Sequence, residues 1–150
     1  MAVGQGDGAV LITPVGQTVL FDNGVLNQCG RPVSYLTGLG LSKIDFHVAS
    51  HYHADHIGCT EEVLSALPLQ HLALDRGGSY TTQTYNRYVA AVGAKRQTAP
   101  VGMSLSLDSG VAVDFIAANG NGVASADVGQ VPLGFHRCEL VAGPTASESP

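Results

Sequence analysis

His51-Tyr52-His53-Ala54-Asp55-His56 stands directly behind Phe46-His47-Val48-Ala49-Ser50, and that junction constrains the chain more than any other stretch. The run from Phe46 to Ser50 reads as a short buried strand with Val48 and Ala49 at its apolar centre. A strand end followed by a tight loop sends residues i and i+2 to the same side. His51 and His53 can therefore hold one metal ion together. Asp55 and His56 fall where the chain turns into a helix and point to a second position close by. Imidazole and carboxylate are the donors that suit zinc, with manganese or iron as alternatives. A solvated His-rich tract has a similar composition. The interleaved Asp and the buried strand in front of it argue against that reading.

Around this junction strand and helix signals are mixed. Ala9 to Thr13 and Gln17 to Asp22 predict a hairpin through Pro14-Val15-Gly16. Pro32 to Leu41 predicts a weak helix, spoiled by Gly38 and Gly40. Thr60 is the expected N-cap of a helix that has Glu61 and Glu62 in its first turn and stops at Pro68. His71 to Asp75 predicts a strand. Tyr80 to Val92 predicts a helix with Tyr85, Tyr88, Val89 and Val92 on one face, ending at Gly93. Val111 to Ala117 alternates as a further strand. Strands and helices in this order imply an α/β sheet layered with helices.

His-x-His-x-Asp-His followed by Ile57-Gly58 resembles the signature of the metallo-β-lactamase-fold hydrolases. Val3-Gly4-Gln5-Gly6-Asp7-Gly8-Ala9-Val10-Leu11-Ile12, with Thr18-Val19-Leu20-Phe21-Asp22-Asn23-Gly24, is similar to the opening hairpin of one branch. That branch holds the metallo-hydrolase domain of the DNA-internalisation competence proteins and its secreted, free-standing relatives. The competence proteins often carry Asp where this chain has His53, so the free-standing hydrolases match better. The resemblance implies a partial αββα fold of the α+β sandwich type, with a mixed sheet and helices on the outer face. It implies zinc, two ions in a complete site, with His51, His53, Asp55 and His56 as ligands. Asp55 would also orient a metal-bound hydroxide and carry a proton to the leaving group. Asp22 would fix a ligand His by accepting its other N–H; as a plainer alternative, Asp22-Asn23-Gly24 is a strand-ending turn. Two ions sharing a water lower its pKa towards ~7 and polarise the bond under attack. The resemblance favours phosphodiester or other phosphate-ester substrates. Alternatives are a thioester, lactone or lactam hydrolase, and a truncated, catalytically impaired remnant that binds metal weakly.

Composition narrows the partners. The net charge is -5 and only seven residues are Lys or Arg, which argues against a broad nucleic-acid-binding surface. No apolar stretch approaches the ~20 residues of a membrane span. No basic and then apolar leader opens the chain, although similar full-length proteins are often secreted. Cys29, Cys59 and Cys138 leave free thiols or one disulfide open. Lys95-Arg96 reads as a solvated pair, His47 as a packed core residue and His71 as structural.

The tail departs from the pattern. Residues 1–123 are expected to form the N-terminal part of a metallo-β-lactamase-fold domain, and 124–150 a divergent, poorly ordered segment. Asn119-Gly120-Asn121-Gly122-Val123 still resembles the family, but the Gly-Asp turn that supplies a bridging carboxylate is not evident. Asp114 and Asp127 are the late acidic candidates and His136 the distal one. A fragment with weak turnover is the expectation.

Overall fold

The structure, a computed structural model, describes residues 1–3 and 5–117. A five-stranded sheet runs in the order β1 (Ala9–Ile12), β2 (Thr18–Phe21), β3 (Ile44–Val48), β4 (Leu69–Asp75), β5 (Arg96–Thr98). The β1–β2 hairpin is antiparallel and every later neighbour is parallel. Inner parallel strands are covered on both faces and so read as near-continuous apolar runs. β3 is covered on both faces, for all five of its residues are buried, but Asp45 and His47 interrupt the apolar run and are hydrogen-bonded to Thr18 and Asn23.

The pleat sorts these residues into two cores. Leu20, Ala49 and Ala73 face the helices, packing with Leu36 of α1 (Gly30–Gly38), Val63 of α3 (Thr60–Ala66), and Tyr85, Tyr88 and Val92 of α4 (Gln83–Val92). Val19, Phe46, Val48 and Leu74 face the other way. There Leu105 and Val113 cover them from a small antiparallel sheet, β6 (Ser104–Ser106) and β7 (Ala112–Asp114). The fold is therefore the expected α/β sheet with helices on an outer face.

Several element boundaries differ from the sequence reading. Thr60 is the first residue of α3, not its cap. Its hydroxyl donates to the Ile57 carbonyl and accepts from Asn23 Nδ2, so it serves the preceding turn. Tyr80 lies ahead of α4, which starts after Thr82, whose hydroxyl accepts from the Tyr85 N–H. α1 opens at Gly30, and Gly38 is its last residue. β5 and β6 went unread because three-residue strands give too little periodicity. Lys95 and Arg96 are not a solvated pair: Lys95 donates to the Leu69 carbonyl, and Arg96 pairs with buried Asp75. Cys29 and Cys59 are joined by a disulfide. Among the described residues no helix is long and apolar enough to cross a membrane.

Because β2, β3 and β4 run parallel, their C-terminal ends meet at one edge of the sheet. Asp22, the His51–His56 segment and Asp75-Arg76 all lie at or just past those ends. In open α/β sheets this edge is where ligands bind.

Candidate metal centre

The chain leaves β3 at Val48 and turns through His51–His53 into the short helix α2 (Ala54–Ile57). The i, i+2 spacing places His51 beside His53, with ring centroids 4.6 Å apart. α2 then brings His56 back onto His51, at 3.9 Å. Asp55 Oδ2 lies 3.7 Å from His56 Nε2. Two glycines permit this close folding. A Cβ on Gly58 would meet the Ala54 carbonyl oxygen at 2.2 Å, and one on Gly6 would meet the Asp55 carbonyl oxygen at 2.0 Å.

Asp22 comes to the cluster from β2. Its φ of 47° puts a non-glycine residue in the left-handed region, an uncommon conformation that surrounding contacts must hold. Its N–H donates to the Val48 carbonyl and the next N–H, from Asn23, donates to the His56 carbonyl. The strand-ending turn thereby aims the carboxylate at the motif. Oδ1 accepts the Ser50 N–H at 2.8 Å, and Oδ2 accepts both the Ser50 hydroxyl and His56 Nδ1–H, the latter at 2.8 Å.

A carboxylate can only accept, and on that footing the contacts assign the ring protons. With Asp22 taking His56 Nδ1–H, the Nε2 lone pair of His56 faces outward. Ser50 spends its own proton on Asp22, so its oxygen accepts from His51 Nδ1 at 3.1 Å, which leaves Nε2 of His51 as that ring's lone-pair atom. Burial, and then the neighbouring His56 and His53 charges, pull the His51 pKa down to about 4. The hydrogen bond to Asp22 pushes that of His56 up, against its burial.

Behind the cluster, His47 is fully buried. Its Nε2 accepts from Asn23 Nδ2 at 3.1 Å, and burial lowers its pKa to about 4, so it packs as a neutral core residue, as expected. Asn23 also donates to Thr60 and accepts the Cys59 N–H, tying the β2 turn to the start of α3. Sequence reasoning missed Ser50, Asn23 and Tyr52. The first two had a faint signal, a hydroxyl directly before His51 and an amide directly after Asp22. Asp114 lies on β7, opposite Ser104 in the second sheet. Asp127, His136, Cys138 and the 124–150 tail lie outside the described residues.

The donor set fits zinc chemically, with three imidazoles and one carboxylate, two of the rings offering Nε2. Its arrangement is gathered but not convergent. Among the described residues no three His, Cys, Asp or Glu side chains point at one position that could hold a metal ion. Convergence takes side-chain rotation, for which His53 is exposed and Asp55 half-exposed.

Comparison with known proteins agrees with this architecture. No curated protein is similar enough to the chain to count as a relative. Among solved structures, a subclass B3 metallo-beta-lactamase from a soil metagenome library superposes with a TM-score of 0.53 at 18% identity, covering 71% of this chain and 44% of that one. A metallo-beta-lactamase from Cronobacter sakazakii gives 0.53 at 18% identity, covering 75% and 50%. Rubredoxin oxygen:oxidoreductase from Desulfovibrio gigas gives 0.59 at 19% identity, covering 77% and 28%. At such identities the likeness concerns the fold, and the chain spans half or less of these proteins. The profile of the Metallo-beta-lactamase superfamily matches residues 8–136, and the chain belongs to that superfamily.

Proposed function

We propose that this chain is a metal-dependent hydrolase whose ion, zinc by preference, is held by His51, His53, Asp55 and His56. The observation that carries the reading is the Asp22–Ser50 pair, which commits Nδ1 of both His51 and His56 and leaves their Nε2 atoms as donors. A His whose second ring nitrogen is fixed by a carboxylate is the usual state of a metal ligand. Bound zinc supplies Lewis acidity and a water with a lowered pKa. The chain's own residues do the rest. Asp55, with its carboxylate 3.7 Å from His56 Nε2 and open to solvent, can hold a proton during attack and release it to the leaving group. Asp22 keeps His56 oriented throughout. Phosphodiester or other phosphate-ester substrates are favoured by the resemblance of the opening hairpin, residues 3–24, to that of hydrolases related to the competence proteins.

The test is elemental analysis of the purified chain together with turnover of bis(p-nitrophenyl) phosphate. Zinc is expected at up to about two ions per chain, and His51→Ala combined with His53→Ala is expected to remove it. Retention of the same metal content by that double variant would refute the ligand assignment. Metal uptake without phosphodiester turnover, but with cleavage of a thioester, lactone or β-lactam probe, would move the substrate class. Metal uptake with no turnover of any probe would make the chain a metal-binding remnant.

A further inference from the structure

The residue between the two histidines is anchored from behind. Tyr52 is one step out of phase with His51 and His53 and is 2% exposed, its ring packed in the helix-side core. Its hydroxyl donates to the Gly77 carbonyl at 2.9 Å and accepts from Arg96 Nη2 at 2.9 Å. Arg96 is in turn held by Asp75, Nε to Oδ2 at 2.6 Å. Asp75 also accepts the Gly77 N–H and the Tyr88 hydroxyl. The Arg76 guanidinium lies 4.6 Å from the Tyr52 ring centroid, and the Tyr85 ring packs at 4.7 Å. Thus β5, α4 and the turn after β4 all close on one phenol, 44 residues away from Arg96 in sequence.

The Asp75–Arg96 pair is buried on the Asp75 side and 24% exposed on the Arg96 side, and such a pair is a weak source of net stability. A buried network with its donors and acceptors matched does specify one position for each member. From this geometry we propose that Tyr52 is a positioning residue of the metal centre. Its hydroxyl, held between Gly77 and Arg96, locks the backbone of residues 51–53 so that both imidazoles stay on the same side of the turn. This rests on the zinc reading above. Without the hydroxyl, the aromatic ring still fills its place, but the middle residue of the turn loses the hydrogen bonds that tie it to Gly77 and Arg96. Arg96 keeps Asp75 and the Gly78 carbonyl as partners, while the buried Gly77 carbonyl loses its Tyr52 donor, so folding is measured beside zinc binding.

The experiment measures the zinc dissociation constant by competition with a chromophoric chelator, on wild type, Tyr52→Phe, Arg96→Lys and Tyr85→Phe. Folding of each is checked by circular dichroism. Tyr52→Phe is expected to weaken zinc binding about tenfold, the lower end of what removing a group that orients a ligand costs. Arg96→Lys should act in the same direction, because an ammonium cannot reproduce the guanidinium fork, and it decides the matter if Tyr52→Phe does not fold. Tyr85→Phe removes a neighbouring hydroxyl that donates to the Gly78 carbonyl, and it should stay within about twofold of wild type. Unchanged binding in Tyr52→Phe and Arg96→Lys overturns the inference, and so does an equal loss in Tyr85→Phe, which would make the effect one of general packing. A wild type that takes up no zinc overturns the metal reading and this inference together.

Discussion

Asp45 and Asp22 are both buried carboxylates on neighbouring strands, at opposite ends of the sheet, and they do different work. Asp45 sits near the start of β3, where Oδ2 accepts the Thr18 N–H and hydroxyl and Oδ1 accepts the Lys43 ammonium at 2.7 Å. Burial alone would raise its pKa, but Lys43 and Thr18 outweigh it and hold the group below the ordinary carboxylate value. Its partners are backbone, hydroxyl, a half-exposed lysine and, at 3.9 Å, the exposed His71 ring, so its contribution is to register β2 against β3. Asp22, just past the end of β2, instead serves Ser50 and His56 and sits on a left-handed turn. One carboxylate completes a strand pairing; the other is held in an uncommon conformation to orient an imidazole.

The largest effect should come from the covalent tie at the Asp22 end. Cys59, the residue just before α3, is bonded to Cys29 across a sequence separation of 30. In the chain-entropy model a loop of that length is worth roughly 3.5 kcal/mol. Replacing both cysteines with Ala should therefore lower the urea-unfolding free energy by about that amount. A loss under ~1 kcal/mol would mean that hydrogen bonds alone order this end.

Asp45→Ala tests the other end. It strands the buried Thr18 N–H and should cost roughly 2–3 kcal/mol, while zinc affinity stays unchanged. A large loss of zinc affinity in a folded Asp45→Ala protein would erase the distinction between the two carboxylates. Asp22→Asn is the complementary change, since the amide still accepts from the Ser50 N–H but offers an N–H to His56 Nδ1. Zinc affinity should fall about 10–100-fold, with stability reduced by about 1 kcal/mol, as for one ordinary hydrogen bond. A stability loss as large as that of Asp45→Ala, with zinc binding intact, would reverse the assignment.

The smallest effect is a pH dependence from His47, which lies between these ends. Its folded pKa, depressed to about 4 from 6.5, means that the unfolded chain binds a proton the folded chain refuses. That stability is complete above pH 6.5 and is lost as the pH falls towards 4. Between pH 7.5 and 5.5 His47 should account for about 1.4 kcal/mol, on the order of one pKa unit. His51 acts in the same direction, whereas His56, raised by Asp22, contributes below its ordinary pKa and loses that contribution as the pH rises. Comparing wild type with His47→Gln isolates the His47 part. Equal slopes for the two proteins would show that the buried ring does not carry it.

Local pattern made much of this molecule legible. The β1–β2 hairpin, β3, β4 and α4 follow from apolar alternation, a Pro-Val-Gly turn and tyrosines at helical spacing, because neighbours in sequence set which face a residue shows. The same logic gathered His51 and His53, and the helix after Ala54 gathered His56. Partners drawn from afar were not legible. Arg96 read as a surface cation because its sequence neighbours do not show that parallel pairing of β4 and β5 lays it on Asp75. Tyr52 drew no reading of its own for the same reason, since its partners Gly77 and Arg96 lie far along the chain.

By itself, then, the sequence determined the types of donor side chain, their spacing and the buried strand that presents them, all features that repeat within a few residues. Tertiary structure decided the proton positions on His51 and His56, the Cys29–Cys59 bond and the anchoring of Tyr52. Each of these depends on groups about 30 or more residues apart meeting at one edge, where the hydrogen-bond register of the parallel strands, rather than any local preference, fixes who meets whom.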